Sequence, residues 1–167
     1  MSDHTPNTVI QSRDRLLKTA KTLHMAVWHE DDTGAHLEQG QAPFIRQDGH
    51  FYIYSSHLSA HIRGMLAGGT ASFMLIEDEA TAQNIWARIR LKFSAEIIEI
   101  GRNDVQFGVI CDRIGAVHGN VMQVIRDFSD FHLFQITPTE GVLVTGFAAA
   151  YQLEGDAFEI KAHLRSG

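Results

Sequence analysis

The chain has 167 residues, the size of one ordinary domain, and 44% of them are hydrophobic, so a folded core is expected and disorder throughout is excluded. The 14 Lys and Arg residues against 20 Asp and Glu give a net charge of −6, which argues against a nucleic-acid binder with a broad basic surface. One cysteine, Cys111, excludes an intramolecular disulfide and a thiolate zinc cage. The unusual count is histidine, with ten residues.

Targeting signals are not visible in the sequence. No apolar run approaches the length of a membrane span, and the first residues, MSDHTPNT, lack the basic and apolar regions of a signal peptide. We therefore expect a cytoplasmic protein with one domain over residues 1–167, a helix over about residues 8–22 and a short C-terminal tail over about residues 154–167.

The first half of the chain is predicted to begin with that helix and to continue mainly as strands. Asp48-Gly49 between two short apolar runs is the strongest hairpin signal, and Ser55-Ser56 can cap a second helix. The predicted order is a strand at 23–28, a loop or frayed hairpin at 29–40, a hairpin with arms 42–46 and 51–54, a helix at 58–66 and a buried strand at 71–76.

The second half alternates strand, helix and strand. Residues 84–100 are mostly strand-like, and residues 104–125 are helical with a break near Gly115 to Gly119. A pair of strands at 131–136 and 142–147 is predicted around a turn at 137–141, with further strand at 151–153 and 158–162. Six or seven strands that are mostly sequence neighbours favour a mainly β (α+β) antiparallel barrel or sheet with peripheral helices.

Familiar catalytic motifs are missing from the sequence. The segment Gly64 to Gly69 lacks the spacing of a dinucleotide loop, and there is neither a phosphate-binding Gly-Lys-Ser/Thr loop nor a Gly-x-Ser-x-Gly elbow. His57-x-x-x-His61 would place two imidazoles on one helix face, as in zinc sites, but it lacks the usual Glu and any Cys partner. The sequence therefore gives little support for zinc.

Three charged segments are candidates for function. Glu77-Asp78-Glu79 is most simply interpreted as an acidic helix cap. Arg88 and Arg90 lie two apart, so on a strand they would share a face, either solvated or clamping a phosphate or carboxylate. Asp130 precedes an apolar strand beside His132; it is either a turn residue or a partner that orients a metal-ligating imidazole.

Taken in order, six segments resemble one known family. They are FYIYSSHLSAH at 51–61, ASFMLIEDE at 71–79, ARIRL at 87–91, DFHLF at 130–134, PTEG at 138–141 and GFAAAY at 146–151. As a set they are similar to the HugZ/HutZ haem-utilisation family, a branch of the pyridoxamine-phosphate-oxidase-like split-barrel superfamily. The resemblance covers about residues 10–162.

The resemblance implies a six-stranded antiparallel split barrel that forms a homodimer with two sites in its interface clefts. It implies haem b as the cofactor, with FMN in related branches, and a reductase or ascorbate-like reductant as the electron donor. A C-terminal histidine would ligate iron, and Asp130 of the other subunit would hydrogen-bond to it. The implied catalytic residues are Asp130 and Arg90; the implied cofactor-binding residues are Ser56, His61, Arg88, Arg90, Asp130 and His132.

The chain departs from the family pattern in two places. Gly64 stands where the family usually has Asn, and the tail stops at Lys161 to Gly167 without the usual Gly-His-Arg-like segment. His163 is the nearest remaining candidate for the iron ligand, with His61 or His132 as substitutes.

The leading hypothesis is a haem-binding protein of haem utilisation that degrades haem oxidatively or hands it on. An FMN-dependent split-barrel oxidoreductase is the alternative from another class, and a non-catalytic haem storage or sensing protein is the third.

Overall fold

A computed structural model describes residues 6–164, which contain four α-helices, one short 3-10 helix (Ile85–Ala87) and eight strands. The helices are α1 (Asn7–Thr19), α2 (Ala60–Leu66), α3 (Val105–His118) and α4 (Val121–Ile125). The strands are β1 (Thr22–Asp31), β2 (Gly34–Gln47), β3 (His50–Ser56), β4 (Thr70–Ile76), β5 (Arg90–Ile100), β6 (Phe131–Gly146), β7 (Ala149–Glu154) and β8 (Glu159–Leu164). His4 and the last three residues of the predicted tail lie outside the described residues.

Six strands close into an antiparallel ring. β1 pairs with β2 and β4, β5 lies between β4 and β6, and β3 joins β2 to β6. Closure satisfies the edge hydrogen bonds that an open sheet would expose. The predicted six-stranded antiparallel barrel with peripheral helices is confirmed, and β7 and β8 extend the sheet beyond it along the second half of β6.

The barrel interior is filled by alternating apolar side chains of its strands. Along residues 22–27 of β1 and along β4 every second residue is buried, as expected when one face of a strand lines a core. Phe93 stacks on Phe51 and Phe73 with ring centroids 5.1 and 5.4 Å apart. A second cluster lies beneath α3 and contains Tyr54 and Phe107.

The predicted pair of strands at 131–136 and 142–147 is wrong, because both belong to the continuous strand β6. The turn-forming residues between them make a bulge: Ser94 of β5 pairs with Glu140, and the next residue, Ala95, pairs with Pro138. Thr139 is thus the additional residue, which lets a proline without an N–H sit inside a long strand.

Other differences concern the ends of elements. The region 29–40 is the outer part of a long β1–β2 hairpin whose turn is Asp32-Thr33. Glu77-Asp78-Glu79 does not cap a helix; Asp78 Oδ1 accepts a hydrogen bond of 2.8 Å from the Ala80 N–H within a turn. The predicted strand from residue 84 begins only at Arg90.

The predicted C-terminal tail is a structural part of the domain as far as residue 164. Phe158, between β7 and β8, is fully buried and packs edge-on against Phe93 at 5.2 Å. Within residues 6–164, no helix has the length and apolar character needed to cross a membrane.

Candidate functional site

Asp130 lies at the start of β6 and is held by the residues that end β3. Its carboxylate accepts a hydrogen bond from the Ser56 hydroxyl, and its backbone carbonyl accepts one from the His57 N–H at 2.8 Å. The pairing of β3 with β6 places Ser56 opposite Phe131, which brings these side chains together. Asp130 therefore lies in a turn directly before β6, and its partly buried carboxylate is fixed there by Ser56.

A chain of hydrogen bonds joins two histidines and a glutamate beside Asp130. His57 Nδ1 lies 2.8 Å from His132 Nε2, and His132 Nδ1 lies 2.7 Å from a carboxylate oxygen of Glu99 on β5. Since Asp130 and His132 are two residues apart around the start of β6, both can face the same side. We call Ser56, His57, Glu99, Asp130 and His132 the Asp130 cluster.

The loop that carries Asp130 is fixed by Arg102, which follows β5. Arg102 donates to the carbonyls of Arg126 at 2.9 Å, of Phe131 at 3.1 Å and of Phe128. Tyr54 donates its hydroxyl to the Arg126 carbonyl at 2.7 Å. Burial raises the pKa of Tyr54, which keeps the hydroxyl protonated as a donor. The Asp130 cluster therefore has a rigid support.

A cleft of about 510 Å³ opens between the residues before β5, the β6–β7 turn and β8. Arg90 and His163 both line it, together with two large aromatic side chains, Trp86 and Phe147. These aromatics are 82% and 71% exposed, an unusual arrangement for such large apolar groups. The structure thus brings together two of the predicted site residues in a cleft with apolar, exposed walls.

His163 has a defined orientation within this cleft. Its Nε2 lies 3.0 Å from the Ala148 carbonyl oxygen, so Nε2 is the protonated nitrogen and the lone pair is on Nδ1. The ring also stacks on Tyr151, with the centroids 4.8 Å apart.

The two-residue spacing predicts that Arg88 and Arg90 share one face of a strand. They do not, because β5 begins at Arg90 and Arg88 precedes it. Its Nε donates to the Glu77 carbonyl at 2.9 Å, and its Nη1 lies 3.1 Å from a Glu79 carboxylate oxygen. It lines a different cavity, of about 850 Å³, next to α1. The guanidinium is thus engaged by the acidic segment after β4.

His61 lies apart from the Asp130 cluster and packs on the backbone of β2. It is only 8% exposed, and its Nε2 is buried with no hydrogen-bond partner among the described residues. A Cβ at Gly40 would come within 2.1 Å of the His61 ring, so glycine is what allows this packing. Burial lowers the pKa of His61 and favours its neutral form.

Gly64, where the family pattern has Asn, also faces a histidine. A Cβ at this position would lie 2.7 Å from Cδ2 of His29 and 3.0 Å from a methyl group of Val27. The missing side chain thus leaves the space that the His29 ring uses.

Five of the seven predicted site residues form two groups at opposite ends of β6; Arg88 and His61 belong to neither. Ser56, His132 and Asp130 meet at its start, and Arg90 and His163 meet at its end. The 16-residue strand spans up to about 50 Å at the usual rise per residue. Sequence reasoning did not identify Glu99 or the contact between His57 and His132, since both depend on the pairing of strands that are far apart in sequence.

The interpretation of His57 and His61 as a zinc pair has no support in the structure. His57 precedes α2, so the two imidazoles do not share a helical face. Within residues 6–164 there is no group of three or more His, Cys, Asp or Glu side chains arranged to hold a metal ion.

Comparisons with known proteins point to one family. No protein-family model matches the chain. A curated relative, heme oxygenase HutZ of Vibrio cholerae, is 31% identical over 147 residues, which is 88% of this chain and 82% of the relative.

Solved structures agree with this similarity. The structure of HutZ, a heme storage protein from Vibrio cholerae, has a TM-score of 0.72 at 26% identity, covering 83% of this chain and 94% of that one. Campylobacter jejuni ChuZ has a TM-score of 0.78 at 23% identity, covering 99% of this chain and 70% of that one, and supports the fold. Because the relative HutZ is 31% identical over most of both chains, and the six-stranded barrel agrees with its structure, the chain belongs to the HugZ/HutZ haem-utilisation family.

Proposed function

We propose that this protein binds haem as part of haem utilisation in the cytoplasm, in a cleft that two copies of the chain build together. The observation that carries the proposal is the cleft at the end of β6, which Arg90 and His163 line together with the exposed rings of Trp86 and Phe147. Its volume of about 510 Å³ is within the usual range of small-molecule sites.

The groups in the cleft fit the chemistry of haem b. A flat apolar macrocycle needs apolar walls, which the two aromatic side chains offer. The guanidinium of Arg90 suits a propionate carboxylate, because arginine forms paired, charge-assisted hydrogen bonds with carboxylates. The imidazole of His163 offers one lone pair, on Nδ1 in the described orientation.

A second copy is proposed because Asp130 cannot reach this cleft on its own chain. The start and end of β6 are separated by the length of the strand, whereas the resemblance requires both ends at one site. A homodimer in which the start of β6 from one copy meets the end of β6 from the other resolves this separation.

Within such a site, Asp130 would accept the N–H of a ligating imidazole and increase its electron donation. Ser56 would hold the Asp130 carboxylate, and His132 would complete the polar wall. Bound haem would supply an iron centre whose reduction potential depends on its axial ligand and on hydrogen bonding to that ligand. The protein would orient haem and limit the access of water.

The test is a titration of the purified protein with haemin and, separately, with FMN. We expect a saturable change of the Soret band at one haem per chain, and no flavin retained by the purified protein. A yellow protein that retains FMN and shows no saturable binding of haemin would refute haem binding and support the FMN-dependent oxidoreductase.

A second measurement separates degradation from storage. Ascorbate, or NADPH with a reductase, is added to the haem complex in air, and the Soret band is followed. Loss of the band with free iron release indicates oxidative degradation. A persistent ferrous or oxygenated spectrum indicates a protein that stores haem or hands it on.

A further inference from the structure

We propose that Trp86 stacks on one face of the haem macrocycle in the cleft at the end of β6, and that Asn84 is a positioning residue that holds Trp86 there. The inference rests on the proposed haem function and names the residue that recognises the flat ring system, apart from its iron. It starts from the segment between β4 and β5, which carries Trp86 on the short 3-10 helix Ile85–Ala87.

The indole ring of Trp86 is large and lies outside the protein core. Trp86 is 82% exposed, belongs to neither of the two core clusters and lines the cleft. Removing so large an apolar ring from water is favourable, and an aromatic face pairs well with another flat π system in an offset stack. A planar ligand in the cleft that covers this face therefore gains binding energy that no contact within the chain uses.

Hydrogen bonds rather than burial hold the turn that carries Trp86. The side-chain Oδ1 of Asn84 accepts a hydrogen bond of 2.9 Å from the Trp86 N–H, and the Asn84 carbonyl accepts one of 3.1 Å from the Ala87 N–H. The other apolar residue of the turn, Ile85, is 59% exposed and gives no buried anchor. Asn84 is thus the cap that sets the orientation of this turn.

The two ends of the segment are tied together next to the cleft. The Glu77 N–H donates to the Ile89 carbonyl at 2.8 Å, and the Ile89 N–H donates back to the Glu77 carboxylate at 3.2 Å. Arg88 Nε donates to the Glu77 carbonyl at 2.9 Å, and the Arg88 carbonyl accepts from Arg90 Nη1 at 3.1 Å. One fixed segment therefore presents both the ring of Trp86 and the guanidinium of Arg90 to the cleft.

This arrangement divides the recognition of haem into separate parts. Arg90 suits a propionate carboxylate and Trp86 suits the macrocycle, and neither contact involves the iron. Because the segment is already ordered by its own hydrogen bonds, a ligand does not have to order it on binding. The contribution of Trp86 should therefore be the same for a porphyrin with or without a metal.

The experiment measures the dissociation constants of haemin and of metal-free protoporphyrin IX for the wild-type protein, Trp86→Ala and Trp86→Phe by absorption titration. We expect Trp86→Ala to weaken the binding of both porphyrins by a similar factor of about 10, because stacking acts on the macrocycle. Trp86→Phe keeps a smaller aromatic face and should recover part of the affinity. Wild-type affinity for both porphyrins in Trp86→Ala, or a loss confined to haemin, overturns the inference.

The role of Asn84 is tested through Trp86. Asn84→Ala should weaken the binding of both porphyrins, and Asn84→Ser, which keeps an oxygen acceptor for the cap, should restore it. In a Trp86→Ala background, Asn84→Ala should cause no further loss. Additive losses in the double variant would show that Asn84 does not act through Trp86 and would overturn its assignment.

Ile85→Ala is the matched control, since Ile85 is an exposed apolar residue of the same turn and is not among the described residues that line the cleft. Its affinity for both porphyrins should equal that of the wild type. Trp86→Ala should also sediment like the wild-type protein; a changed oligomeric state would assign the ring to a contact between chains and overturn the inference. A wild-type protein that binds neither porphyrin refutes the proposed haem function itself.

Discussion

The ring of the neighbouring His29 explains why residue 64 has no side chain. Helix propensity alone predicts that Gly64→Ala in α2 should stabilise the protein by up to about 1 kcal/mol. The contacts of 2.7 Å with His29 and 3.0 Å with Val27 oppose this, because overpacking costs about 1–3 kcal/mol. We expect Gly64→Ala to be destabilising in urea unfolding.

The double variant, Gly64→Ala with His29→Ala, provides the control for that prediction. In a His29→Ala background the shorter contact disappears, so Gly64→Ala should become close to neutral or stabilising. If the two substitutions are simply additive, His29 does not account for the glycine.

His61 should make stability depend on pH. Its folded pKa lies below the ordinary value of 6.5 because of burial. Below about pH 6.5 the unfolded chain therefore binds a proton that the folded chain does not, and the free energy of unfolding falls as the pH decreases. In His61→Leu this part of the decrease should be absent. Equal pH slopes for the two proteins in urea unfolding between pH 8 and 5 would contradict the assignment.

At the level of elements, most of the fold follows from local patterns in the sequence. The Asp48-Gly49 hairpin, the break between α3 and α4 and the buried strand β4 are all present where the patterns indicate. β6 is different, because its central Thr-Pro-Thr-Glu-Gly has the composition of a turn. Only the facing strand β5, with a bulge opposite Ser94 and Ala95, shows that these residues continue the strand.

The segment between β7 and β8 should be essential for stability rather than a dispensable tail. Phe158 is fully buried against Phe51 and Phe93, so Phe158→Ala should cost about 3–5 kcal/mol in chemical unfolding. Phe147→Ala removes an exposed ring of the same type on a neighbouring turn and should change stability by less than about 0.5 kcal/mol. Similar losses in both variants would show that Phe158 does not stabilise the core.

At the level of the whole molecule, the proposed dimer predicts complementation between two defective chains. One chain carries Arg90→Ala and His163→Ala, and the other carries Asp130→Asn and His57→Ala. Each homodimer should lack a complete site, but a heterodimer contains one cleft built only from wild-type residues. We expect co-expressed, doubly tagged heterodimers to bind one haem with the wild-type spectrum.

Sedimentation gives the independent check, since the unmodified protein should behave as a dimer at micromolar concentration. A monomeric protein that binds haem normally, or heterodimers with no wild-type spectrum, would contradict a shared site.

The candidate site was less predictable than the fold, and the reason is geometric. Asp130 and Arg90 stand out in the sequence because charged residues flank apolar strands. The pairing of β3 with β6 and of β5 with β6 then decides that Asp130 meets Ser56 and that His132 meets His57 and Glu99. No local pattern contains that register, so Glu99 had no signal of its own, and His57 stood out only as a possible zinc ligand.

The continuity of β6 has one more consequence for the proposed dimer. Each copy of this strand would contribute its start to one haem site and its end to the other. A change in its register or twist at the bulge near Pro138 would therefore shift residues of both haem sites. If haem binding at one site changes that register or twist, the affinity of the second site changes with it, and the two sites fill cooperatively; if β6 keeps its geometry, they fill independently.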